Sequence, residues 1–219
     1  MSENEHYHVY NRGVDKRLLF IDKKDVERFW EGMQLFNTDK SIGSLRDLNS
    51  SHRSSHRVTV NTGERKLVDF IAYGINPNHY HFILKPLIKS GIEKFMHKIG
   101  MGYARYFNTK YKRTGALFQG KFRAKHIDSN EYLLHLSAYV NLNDRAHKIG
   151  RAIPTLSKTS WEEYLGESTE EFCDKNIVIE QFKNREEYKK FAEESLESIL
   201  KRKLQIKELE DLGIELVNA

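Results

Sequence analysis

The stretch Leu67 to Leu84 constrains this chain more than any other. Leu67 to Ile75 is an apolar run of strand length, Asn76-Pro77-Asn78 is a tight turn, and His79 to Leu84 returns as a second strand. Flanking segments supply the rest of one pattern. Tyr7 to Tyr10 reads as a strand closed by a turn at Asn11-Arg12-Gly13. Asp22 or Asp25 suits a helix start, and Val26, Phe29, Trp30, Met33 and Phe36 recur at helical spacing. After the hairpin, Ile92, Phe95, Met96, Ile99, Tyr103 and Tyr106 form a second helical stripe. A basic loop, Lys112 to Gly115, leads to a strand around Lys121 to Ile127. Ser129 or Asp128 then caps a helix from about Glu131 to Asn143. The sum is β-α-β-β-α-β-α, an α+β class chain with a ferredoxin-like (RRM-like) sheet and one added helix.

Composition marks the boundaries. Thr38 to Lys66 is rich in Ser, Asn, Thr and Gly, and is expected to be a loop or hairpin excursion. Its His52 and His56 suit a solvated loop better than a metal site. Beyond Pro154 the text turns acidic. The expected division is a body over residues 1–153, with the polar insert at 38–66, and a helical extension over 154–219. Within the extension, Trp161 to Gly166 reads as a packed turn, followed by two helical stretches. Tyr188, Phe191, Ala192, Leu196 and Ile199 stripe the first of these.

The net charge of +5 hides a split. Residues 160–219 hold 16 acidic and 9 basic side chains, net −7, which leaves +12 on the remainder. A basic body invites a polyanion. A single cysteine, Cys173, excludes an internal disulfide and a thiolate zinc cluster. No apolar run approaches the roughly 20 residues that span a bilayer. No membrane partner is expected, and the cytoplasm, in association with the nucleoid, is the expected location.

Three features carry chemistry. His79 and His81 alternate on one strand, so both imidazoles share a face and could bridge a divalent cation. Alone, such a pair also suits ordinary surface histidines. On the Glu131–Asn143 helix, Tyr132, His135, Tyr139 and Asn143 form a polar arc between apolar flanks, with Ser137 and Asn141 expected to face solvent. Asn143 lies four residues from Tyr139, and its amide oxygen is a reasonable third ligand. Tyr139 fits equally a nucleophile beside the ion or a core tyrosine with a backbone acceptor. Finally, Arg105, Lys110, Lys112, Arg113, Lys121, Arg123 and Lys125 occur with no intervening acid. Tyr103, Tyr106, Phe107, Tyr111, Phe118 and Phe122 are interleaved, a combination suited to single-stranded nucleic acid.

Several blocks, in order, resemble the REP-associated tyrosine transposases, single-tyrosine members of the HUH superfamily. They are Val9-Tyr-Asn-Arg-Gly-Val14, Asn76-Pro-Asn-His-Tyr-His-Phe-Ile-Leu84, Tyr103-Ala-Arg-Tyr-Phe-Asn108, Gly115-Ala-Leu-Phe-Gln-Gly-Lys-Phe-Arg123 and Tyr132-Leu-Leu-His-Leu-Ser-Ala-Tyr-Val-Asn-Leu-Asn143. The resemblance implies His79 and His81 as metal ligands, Asn143 as the third, Tyr139 as nucleophile and Arg12 near the DNA. It further implies Mg²⁺ or Mn²⁺, hairpin single-stranded DNA as partner, and cleavage and strand transfer through a 5′-phosphotyrosine. Some relatives exchange the tyrosine helix between subunits, so a homodimer is among the implied partners. Two positions depart from the family pattern: Asp144 stands where a proline is usual, and Ala138 where a basic residue is common. Tyr132 is a rival nucleophile by position only. The competing readings are a hairpin-binding module without catalysis and a metal phosphoesterase that uses water.

Overall fold

The computed structural model describes residues 1–40, 65–146 and 153–211. Most of the polar insert, His52 and His56 included, lies outside the described residues. The strands are β1 (Tyr7–Arg12), β2 (Val68–Asn76), β3 (His79–Pro86), β4 (Arg123–His126) and β5 (Lys158–Thr159). They form one antiparallel sheet in the order β4-β1-β3-β2-β5. The first four follow the ferredoxin-like order, and β5 is an addition that the sequence pattern does not announce. At two residues it is too short to register as an alternating run.

Helices α1 (Lys23–Leu35) and α2 (Gly91–Lys110) follow β1 and β3 respectively. Asp22 caps α1 in a reciprocal capping box with Asp25, and the Ser129 side chain accepts the Tyr132 N–H at the start of α3 (Asn130–Asn141). The hairpin loop is only Pro77 and Asn78, and its backbone groups do not go unmet. Pro77 O accepts the N–H groups of Leu19 and Phe20, and Asn78 O accepts that of Gly13.

Register sorts the side chains. Val9 lies opposite Phe82, and Tyr7 opposite Leu84. These rings and aliphatic groups join Phe70, Tyr73 and Tyr80 in a core covered by Phe29, Trp30 and Met33 of α1 and by Ile92, Phe95 and Ile99 of α2. The alternate residues form the other face. There His79 lies opposite Arg12 and Asn76, and His81 opposite Tyr10 and Gly74. A register shift between Phe70 and Ala72 delivers both Ile71 and Ala72 to this second face. They pack with Ile83 beneath Leu133, Leu136 and Val140 of α3.

The C-terminal residues close that second core. A short helix α4 (Asn143–Ala146) follows α3. Beyond β5 come α5 (Trp161–Leu165), α6 (Asn176–Ile179) and α7 (Arg185–Asp211). The stretch expected as two separate helices is instead one short turn of helix and a continuous 27-residue helix. Tyr188, Ala192 and Leu196 of α7 bury themselves against α3. Ser137 and Asn141 therefore do not face solvent, and both are fully buried. Asn141 Nδ2 donates to the Tyr188 hydroxyl at 2.8 Å, which also meets Ser137 Oγ at 3.2 Å, and Ser160 Oγ donates to Asn141 Oδ1. The sequence places these two polar groups on the outside of a bare helix. The extension supplies their partners, which is why burial is tolerated.

Replacing Tyr188 by Phe removes the hydroxyl and strands the Asn141 amide in the core. The expected cost is about 1–3 kcal/mol, read as a lowered urea midpoint at unchanged slope.

Candidate active site

The second face of the sheet has a covered half and an open half. Over β2 and β3 lies the end of α3, and the contact is close. A Cβ on Gly74 would stand 2.6 Å from Val140 O and 3.3 Å from the Asn143 Cβ. Glycine at 74 thus lets the helix end settle onto the strand beside His81, its neighbour in register. The helix itself ends at Asn141, and after Leu142 the chain turns so that Asn143 opens α4. Asn143 is fully buried.

Four side chains meet there. His81 and Tyr139 rings pack edge to face with centroids 5.4 Å apart, and His79 and His81 do the same at 5.2 Å. His79 Nε2 lies 3.0 Å from Asn143 Oδ1. Tyr132, the rival tyrosine, instead lies under the Lys125 ammonium at 4.8 Å from its ring centroid.

The hydrogen bonds around His79 fix its tautomer. Asn78 Nδ2 donates to Lys16 O at 3.2 Å, so its oxygen is the atom facing His79 Nδ1 at 2.6 Å. Nδ1 must then be the protonated nitrogen, and Nε2 offers its lone pair. Asn143 Oδ1 also accepts from Asn76 Nδ2, whose own oxygen accepts Ser157 Oγ–H. Two acceptors, His79 Nε2 and Asn143 Oδ1, therefore face one another, and a proton or a cation must reconcile them. Asn143 Nδ2 is buried without a hydrogen-bond partner among the described residues.

His8 was given no role by sequence reasoning, yet it touches this group. It is buried, and its Nε2 lies 2.8 Å from His81 Nδ1. Burial, assisted by the Lys125 charge, pushes its pKa from the ordinary 6.5 to about 4, so the ring is neutral near pH 7. Burial also raises the Tyr139 phenol above its usual range, with Asn143 acting in the opposite sense. Asp144 is raised as well by burial, against the pull of Arg145. In the sequence Asn76 and Asn78 read only as turn residues and Gly74 only as part of a strand, for a common reason. Each acts by orienting a neighbour, and that depends on register.

The basic residues divide between the two sides of the sheet. Arg123 lies opposite Tyr10, and Lys125 opposite His8, so both share the histidine face with Arg12. Arg12 bonds Gln119 through its Nε. Arg105 and Lys110 belong to α2 on the far face, with Lys112 and Arg113 just beyond its end. Lys110 is held by Asp22 at 2.7 Å and Asp25 at 2.6 Å, while Arg113 bonds Asn108. Lys121 is exposed ahead of β4. The interleaved aromatics divide between buried and partly exposed rings. Tyr103 and Phe107 are buried in the main core, and Tyr106, Tyr111, Phe118 and Phe122 pack against it. Helical spacing cannot tell a ring turned inward from one turned outward without the neighbouring layer.

Residues 49–143 match the IS200-like transposase family. That span holds both histidines, Tyr139 and Asn143. A solved structure of a REP-associated tyrosine transposase bound to a REP hairpin has the same fold, with a TM-score of 0.50 and 9% identity. The match covers 79% of this chain and 90% of that one. No curated protein matches. The likeness to REP-associated tyrosine transposases read from the sequence blocks is thereby supported by a family match and by fold. Among the described residues no helix is long and apolar enough to cross a membrane.

Two outcomes follow from the local geometry. Gly74→Ala forces the helix end off the strand, and overpacking of this kind costs about 1–3 kcal/mol, measurable by thermal or urea unfolding. His8 has a folded-state pKa below its unfolded value, so the stability it contributes is present above pH 6.5 and is lost as the pH falls toward 4. Over that window wild type should lose roughly 3 kcal/mol through this group, and His8→Phe should flatten the loss in a pH series of urea melts.

Proposed function

We propose that this chain cleaves and rejoins single-stranded DNA at a folded hairpin of REP-like palindromic type, with Tyr139 as nucleophile. The observation that carries the reading is the meeting of Tyr139, His79, His81 and Asn143 at one point on the sheet. All four come from one chain, so the reading requires no second subunit, although a homodimer is compatible with it. Its setting is the cytoplasm, at the nucleoid.

The donor set suits a divalent cation of the Mg²⁺ or Mn²⁺ kind. Among the described residues no three His, Cys, Asp or Glu gather as a metal cluster. An amide oxygen can serve as the third donor, and Asn143 Oδ1, 3.0 Å from His79 Nε2, is placed for that part. His79, His81 and Asn143 would hold such an ion, which would supply charge withdrawal from the scissile phosphate.

The protein's own part follows. Tyr139 Oη attacks phosphorus, the O–P bond to tyrosine forms and the P–O3′ bond breaks. The phenol loses its proton, and the departing 3′-oxygen gains one. A 5′-phosphotyrosine and a free 3′-hydroxyl result. Because the phosphodiester is conserved in the tyrosyl link, an incoming 3′-hydroxyl reverses the step and joins strands. Burial disfavours the phenolate, so its formation has to be coupled to substrate and cation binding. Arg12, Arg123 and Lys125, on the same face, provide the phosphate contacts nearest the nucleophile. Arg105, Lys112, Arg113 and Lys121 are candidates for contacts farther along the hairpin, and Lys110 is the least available of the set.

Labelled hairpin DNA incubated with protein and Mn²⁺ should give an adduct that survives denaturing electrophoresis. Tyr139→Phe should lose it entirely while hairpin binding is retained, and a covalent adduct in that variant would sink the assignment. His79→Ala combined with His81→Ala, or chelation of the metal, should abolish cleavage. Undiminished cleavage in chelator would instead refute the metal role.

A further inference from the structure

We propose that His8 is a positioning residue for His81, fixing the imidazole in the tautomer that leaves Nε2 unprotonated. The inference rests on the ion site proposed above and names the group that prepares it.

His8 Nε2 and His81 Nδ1 are 2.8 Å apart. The ring centroids lie 5.1 Å apart and the planes differ by 22°. A centroid distance that exceeds the N···N distance by the full sum of the two ring radii means that the rings meet edge to edge, with the bond in both planes. One nitrogen must donate. If His8 donates, His81 carries its proton on Nε2, the nitrogen on the side away from His8, and cannot offer that atom to a cation. If His81 Nδ1–H donates, Nε2 keeps its lone pair. The same logic already governs His79, whose Nδ1 proton is held by Asn78. Each histidine of the pair thus has a partner on its Nδ1 side, and outer partners of this kind set ring orientation and basicity at metal sites. Burial of His8 on β1 keeps water from competing for that bond.

Nitrogen-15 NMR of the full chain without metal reads the tautomer directly. Wild type should have His81 protonated on Nδ1, and His8→Phe, which keeps a ring but removes the acceptor, should lose that preference. Mn²⁺ affinity, followed by electron paramagnetic resonance, should weaken about 10- to 100-fold in His8→Phe. His8→Gln, whose amide oxygen can accept, should recover most of it and remains informative if the Phe variant fails to fold. Protonation of His81 on Nε2 in wild type would overturn the proposal, as would equal Mn²⁺ affinity in a folded His8→Phe protein. Equal Mn²⁺ binding by wild type and His81→Ala would overturn the ion site itself, while the tautomer would still decide the role of His8.

Discussion

The approach of α3 to β2 at Gly74 is the contact on which the site depends. Without a side chain there, the Val140 carbonyl can rest against the strand and Asn143 can drop beside His79. The sheet presents two histidines whether or not the helix arrives. Only the close approach brings in the tyrosine edge and the amide. Packing of this kind is short-ranged and unforgiving, since a displacement of an ångström breaks a hydrogen-bonded set outright.

Much of the fold was legible in the sequence because its signals are local. The two-residue hairpin turn, the caps at Asp22 and Ser129, and the apolar stripes of α1 and α2 each rest on residues close in the chain. The four-strand ferredoxin-like order follows from those elements. What escaped depends on pieces far apart. β5 gives no alternation to read, and Ser137 and Asn141 seemed solvent-facing because their partners, Ser160 and Tyr188, come from the extension. The proposed site residues Tyr139, His79, His81 and Asn143 were visible through spacing and family likeness. Their supports were not. His8, Asn76 and Asn78 acquire meaning only once β1, β2 and β3 are in register.

The acidic extension also changes the meaning of the charge split. Its apolar side serves as the outer wall of a core that contains the tyrosine helix, with Tyr164, Val178 and Tyr188 fully buried there. Its acidic groups remain largely outward. Glu163 is an exception, buried and bonded to the Tyr73 hydroxyl and to the N–H groups of Phe172 and Cys173. A carboxylate with three donors is a structural fastening between sheet and extension.

The Lys110–Asp22–Asp25 knot has a bearing on how ionic strength acts. A lysine that already holds two carboxylates has few counterions left to release. On the histidine face, among the described residues, the sheet contributes Arg12, Arg123 and Lys125. Single strands lose about 0.7 in the logarithmic salt slope for each phosphate neutralised, so under the proposed function this cluster alone would contribute a slope of roughly −2. Contacts from Arg105, Lys112, Arg113 and Lys121 farther along a hairpin would steepen it. If those more distant cations meet phosphates only when the strand is folded, a random strand would be held weakly in cellular salt, and selection among DNA sites would fall to the shape of the hairpin rather than to the pull of charge.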